Sequence, residues 1–104
     1  MSPVRFETDQ GGFGRVRFPR PKGCSRLPLE PLQAALEATL HVRFETRRER
    51  LFGPPVLSFV YMGERVKLRM LDTGDAQIDL SAADDEMRET LIEHLRQSDD
   101  FEQI

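Results

Sequence analysis

Two runs of the chain place a cation at every second position: Arg15-Val16-Arg17-Phe18 and Arg65-Val66-Lys67-Leu68-Arg69. In an extended strand successive side chains point to opposite faces, so each run sets its cations on one side and its apolar residues on the other. Arg43, between Val42 and Phe44, repeats the pattern. A guanidinium offers a planar fork of donors that matches a carboxylate or a phosphate through two parallel bonds. Arg15, Arg17, Arg43, Arg65, Lys67 and Arg69 are therefore the candidate binding residues. Arg5 adds to the same face, and Arg47, Arg48 and Arg50 extend it at one end. Glu7 and Glu45 interrupt it. Antiparallel sheets commonly leave one charged face in water, and 13 Arg against 2 Lys is also what a biased genome composition produces.

Three short stretches carry a resemblance. The run Leu71-Asp72-Thr73-Gly74-Asp75, entered from an apolar strand, resembles the active-site region of retropepsin-like aspartic proteases. That resemblance implies a catalytic Asp72 that activates water together with the same residue of a second subunit, with Thr73 and Gly74 shaping its loop; two carboxylates sharing a proton are what such chemistry requires. Asp75 stands where that family carries a small residue. Arg43 and Arg47, with Asp79-Leu80-Ser81, resemble part of the signature of cyclic-di-GMP-binding PilZ domains, with Asp84 where that signature has Gly. Gly12-Phe13-Gly14-Arg15-Val16-Arg17-Phe18 is similar to the RNA-recognition-motif strand, whose aromatics stack on bases.

Cys24, His41 and His94 have no ligand spacing known for metal sites, so neither a metal nor a cofactor is expected. Cys24 sits between Gly23 and Ser25 with Lys22 and Arg26 nearby, a basic setting. No P-loop, Gly-x-Ser-x-Gly or dinucleotide fingerprint occurs.

The elements that must hold these residues follow from apolar periodicity. Val4, Phe6 and Thr8 alternate with Arg5 and Glu7 to give a first strand, Asp9-Gln10-Gly11-Gly12 a turn, and Val16 and Phe18 a second strand. Prolines 19, 21, 28 and 31 make a connection until a helix begins near Leu29–Pro31, with Leu32, Ala35, Leu36 and Leu40 on one face. His41 to Thr46 returns to period two, and Val42-Arg43-Phe44-Glu45-Thr46 repeats Val4-Arg5-Phe6-Glu7-Thr8. Two copies are too few for an array.

Gly53-Pro54-Pro55 precedes a strand over Val56 to Met62, and Gly63-Glu64 is the expected two-residue turn into Val66, Leu68 and Met70. After Asp72–Asp75, the residues Ala76, Ile78 and Leu80 mark a last strand. Ser81 is the expected cap of a helix carrying Ala83, Met87, Leu91 and Leu95 inward. The reading is α+β: one antiparallel sheet of about five to six strands, both helices on one face, in the order β-β-α-β-β-β-β-α. Residues 1–97 form a single domain, and 98–104 an acidic, frayed tail.

Composition narrows the function. Residues 1–71 hold 13 Lys+Arg against 7 Asp+Glu, and residues 72–104 hold 2 against 11, together giving the net charge of −3. The lone cysteine, the start Met1-Ser2-Pro3-Val4-Arg5 without an apolar run, and the absence of a stretch of about 20 apolar residues point to a cytoplasmic protein off the membrane. The leading expectation is a non-enzymatic protein–protein interaction or regulatory module that pairs basic and acidic surfaces with a partner or with itself. The alternatives are nucleic-acid or nucleotide-phosphate binding by the arginine face, and an aspartic protease built on Asp72.

Overall fold

The computed structural model describes residues 3–9, 14–47 and 56–104. The elements run β1 (Val4–Thr8), β2 (Arg15–Phe18), α1 (Leu29–Leu40), β3 (Glu45–Arg47), β4 (Val56–Tyr61), β5 (Glu64–Met70), β6 (Ala76–Asp79), α2 (Asp85–Gln97) and β7 (Phe101–Gln103). They are α+β: the strands form one mixed sheet in the order β3-β4-β5-β6-β2-β1-β7, and two helices pack against it.

Alternation delivers the inner face. Phe6, Val16, Phe18, Phe59, Val66, Leu68, Ala76 and Ile78 are buried in one cluster with Leu32, Leu36 and Leu40 of α1 and Met87, Leu91 and Leu95 of α2. Ser58 is buried although it faces the other way, beneath Arg65. Leu57 is half-buried on the inner side, so β4 has the apolar content expected of a central strand. The third strand is shorter than its sequence pattern: Val42 and Phe44 pack against the core, with the Phe44 and Phe59 rings 4.8 Å apart, before the ladder begins at Glu45.

The sheet differs from the expected antiparallel one in its last strand. Where a frayed tail is expected, Phe101–Gln103 pair in parallel with β1, Val4 opposite Phe101 and Phe6 opposite Gln103. The reason is Phe101, which is buried with its ring centroid 6.4 Å from Phe6 and 6.0 Å from Phe18. Backbone bonds from the Val4 N–H to Asp100 O and from the Ile104 N–H to Phe6 O, both 2.9 Å, clamp the strand at each end.

Two local expectations shift. The β4–β5 turn is centred on Met62-Gly63, not Gly63-Glu64, with φ of 52° and 82° and Tyr61 opposite Glu64. Positive φ at both central positions is the mirror-image turn whose twist matches a hairpin, and this register keeps Tyr61 and Val66 on the core side. Ser81 does not cap α2. Its N–H and hydroxyl both donate to Asp79 Oδ1, at 3.0 and 2.6 Å, and Asp84 becomes the cap by accepting the Met87 N–H at 2.8 Å. Gln10 to Gly12 of the first turn, most of the glycine-rich stretch preceding Arg15, the Arg48 and Arg50 extension and Gly53-Pro54-Pro55 lie outside the described residues.

Candidate binding face and the groove at its edge

β6 lies between β2 and β5, and that order decides what the outward cations meet. Arg17 of β2 stands opposite Glu7 on one side and Gln77 on the other, and Gln77 in turn stands opposite Arg69 of β5. A neighbouring row sets Arg15 opposite Asp79, while Lys67 faces Ser58 and Ser58 faces Glu45. Arg65 stands opposite Val60. Arg15, Arg17, Arg65, Lys67 and Arg69 therefore share the outer face, with β2 and β5 about 10 Å apart at two strand spacings. Arg43 is exposed but precedes β3.

The structure places an acid beside the arginines of this face. Arg17 bonds Glu7 through its guanidinium and reaches Asp75 Oδ2 from Nη1 at 2.9 Å. Arg65 Nη1 donates to Glu45 Oε2 at 3.1 Å and to Ser58 Oγ at 3.0 Å. The hydroxyl and then the backbone N–H of Ser81 hold the Asp79 carboxyl below its ordinary range, and Arg15 and Arg69 lower it further. At the sheet edge Arg5 Nε stands 3.5 Å from Glu102 Oε2. The outer face is thus a mosaic in which cations alternate with Glu7, Glu45, Asp79 and Glu102.

Asp75 is the residue that sequence reasoning overlooked. It is buried, with a side chain only 9% exposed, at the end of the turn that carries Asp72-Thr73-Gly74. Its Oδ1 accepts the Arg20 backbone N–H at 2.8 Å while Oδ2 accepts from Arg17. The Arg20 N–H above all, helped by Thr73 and the charges of Arg17 and Arg20, holds the carboxyl below its usual value against the opposing effect of burial. Gly74, at φ 90°, completes the anchor: its carbonyl accepts the Leu27 N–H at 2.7 Å, and a Cβ there would lie 2.2 Å from Ser25 O. The Asp-Thr-Gly-Asp turn therefore fastens the β2–α1 connection to the sheet. Asp72 is exposed on that turn.

The other reactive types are scattered. Cys24 is exposed in a turn closed by its own N–H to Pro21 O at 3.1 Å. His41 is exposed where it ends α1 in the left-handed conformation, φ 55°. His94 is an exposed residue of α2 whose Nδ1 lies 3.4 Å from the Tyr61 hydroxyl, a phenol that burial pushes up. Among the described residues no three His, Cys, Asp or Glu side chains come together in a way that could hold a metal ion. No described helix is long and apolar enough to cross a membrane.

Positive charge without acidic neighbours in sequence lies elsewhere, in the connection itself. Residues 19–28 contain Arg20, Lys22 and Arg26 and no Asp or Glu. Beside it runs a groove of about 480 Å³ between the start of β1, the connection and the first turn of α1. Its walls are mainly apolar, its charged lining side chains are Arg20, Lys22 and Arg5, the last also paired with Glu102, and no Asp or Glu side chain is among its lining residues. The helical layer has the opposite balance: α1 and α2 together carry Glu30, Glu37, Asp85, Glu86, Glu89 and Glu93 against Arg88 and Arg96.

With this two-layer arrangement in view, comparison with known proteins gives no match: no family model, no curated protein and no solved structure matches the chain.

Proposed function

We propose that the chain is a non-enzymatic protein-interaction module whose sheet-and-connection side meets an acidic surface of a partner, while its helical layer presents the opposite charge. The observation that carries this reading is the separation of charge between the layers: six carboxylates against two arginines in the helices, and three cations without an acid in residues 19–28. Complementary charge of this kind steers encounter and rejects wrong partners more than it adds affinity. The mosaic on the outer face also favours a protein over a polyphosphate. Glu7, Glu45, Asp79 and Glu102 face an incoming phosphate backbone as well as the arginines do, whereas a protein surface supplies both signs in answer. The exposed Cys24 thiol suits a reducing cytoplasm as the setting.

The test is capture of partners by the immobilised chain, with chemical cross-linking and a salt series. The wild type is expected to retain a protein that is lost as salt rises and is lost from the Lys22→Glu/Arg26→Glu variant at unchanged melting temperature. Retention of RNA or DNA instead, with an affinity falling steeply as salt increases, transfers the function to nucleic-acid binding.

A further inference from the structure

The groove beside the connection has three properties that together define an occupant. First, it is preformed. Pro3, Pro19, Pro21, Pro28 and Pro31 line it, and each locks its own φ, so little backbone freedom remains to be lost when something binds. Its Asp75 and Gly74 anchors hold the connection to the sheet from the other side. Second, proline offers no N–H, so the walls supply apolar surface and not a ladder of main-chain donors. Third, the three cations sit on two different elements, Arg5 on β1 and Arg20 and Lys22 on the connection, so they answer several separated anions and not one headgroup.

Pro19-Arg20-Pro21-Lys22 alternates apolar and cationic residues, and all four line the groove. The complementary ligand alternates apolar and anionic groups at the same period of two, which is what an extended peptide does when carboxylates separate its apolar side chains. A volume of about 480 Å³ falls within the range of roughly 300–1,000 Å³ found for ligand sites. We infer that this groove binds an extended acidic–hydrophobic peptide segment of the partner protein, its apolar side chains against the prolines and its carboxylates against Arg5, Arg20 and Lys22. The inference rests on the protein-interaction reading above and gives the partner a chemistry.

Fluorescence polarisation tests it, using the full chain and a fluorescein-labelled Glu-Leu-Glu-Leu-Glu-Leu-Glu peptide. Saturable binding is expected, weakened about tenfold or more when Gln replaces every Glu or when Ser replaces every Leu. The Arg5→Glu/Lys22→Glu variant is expected to lose binding to a similar degree, and Ile104→Ser, at an exposed apolar lining position, to weaken it. Each variant is first matched to the wild type in thermal unfolding; Glu64→Gln, at the exposed β4–β5 turn, serves as the variant that leaves binding unchanged. No saturable binding up to about millimolar peptide, equal binding of the Gln peptide, binding of laurate in its place, or full displacement by a single-stranded oligonucleotide overturns the inference. So does self-association that buries the groove before peptide is added. A partner captured equally by wild type and Arg5→Glu/Lys22→Glu overturns the groove alone and leaves the interaction reading standing; failure to capture any salt-sensitive partner overturns that reading, whatever the peptide does.

Discussion

Replacing Asp75 by Ala removes the acceptor of two bonds, from the Arg20 N–H at 2.8 Å and from Arg17 Nη1 at 2.9 Å. The two losses are unequal. Arg17 is 41% exposed and keeps Glu7, so its guanidinium regains water and a partner. The Arg20 N–H loses its charged acceptor beside a buried side chain. A hydrogen bond to a charged group contributes about 1.5–3 kcal/mol. We therefore expect a destabilisation of about 2–3 kcal/mol at neutral pH, which lowers the melting temperature by roughly 10–20 °C in a domain of this size. Asp72→Ala, three residues away on the exposed side of the same turn, is the control and stays within about 0.5 kcal/mol.

The pH dependence checks the cause. The folded carboxyl titrates below its ordinary value of 3.8, so its stabilisation is present above that value and is lost as pH falls through the lower, folded one. The difference between wild type and Asp75→Ala in urea unfolding is thus constant near neutrality and shrinks only below about pH 4. If Asp75→Ala and Asp72→Ala are equally mild, or if their difference is unchanged in acid, the anchoring role assigned to Asp75 is wrong.

Other perturbations follow from the same geometry. Phe101→Ala should cost about 3 kcal/mol or more in denaturant unfolding, as for a buried aromatic; a cost near zero restores the frayed tail. Asp84→Ala should cost about 1 kcal/mol and Ser81→Ala should leave α2 intact, as read by circular dichroism and melting; the reverse order returns the cap to Ser81. Met62→Asn should raise stability by about 0.5–1 kcal/mol, because Asn tolerates the left-handed φ that a long side chain resists, and a loss of stability shows that the exposed Met62 side chain contributes more than its backbone costs.

The parts of the fold that local pattern governs were legible in the sequence. Period-two alternation located β1, β2, β5 and β6, and the Leu32, Leu36 and Leu40 spacing located α1. Phe101-Glu102-Gln103 has a single apolar residue and no alternation to read; its strand character comes from pairing with β1, a partner at the far end of the chain. Ser81 was the one cap the local pattern offered; Asp79 engages it by accepting its N–H and hydroxyl, and Asp84 caps the helix in its place. The candidate site was legible only in half. Alternation correctly turned Arg15, Arg17, Arg65, Lys67 and Arg69 outward. It carried no information that β6 would come between β2 and β5, bringing Asp79 beside Arg15 and Asp75 beside Arg17. The Asp-Thr-Gly stretch likewise signalled a specialised turn, but the segment it fastens lies about fifty residues earlier in the chain.

The parallel β1–β7 pair bears on the order of folding. Val4 meets Phe101, so this pairing closes a loop nearly as long as the described chain. The length-dependent part of that closure is about 4 kcal/mol from loop entropy for roughly 100 residues, whereas the β4–β5 hairpin closes across two residues. We therefore expect the hairpins and helices to assemble first and β7 to dock against β1 after the main barrier has been crossed. Interactions absent from the transition state act on escape from the native state. Weakening β7 should accelerate unfolding while leaving the folding rate almost unchanged, which makes this three-residue strand a latch on the lifetime of the folded protein.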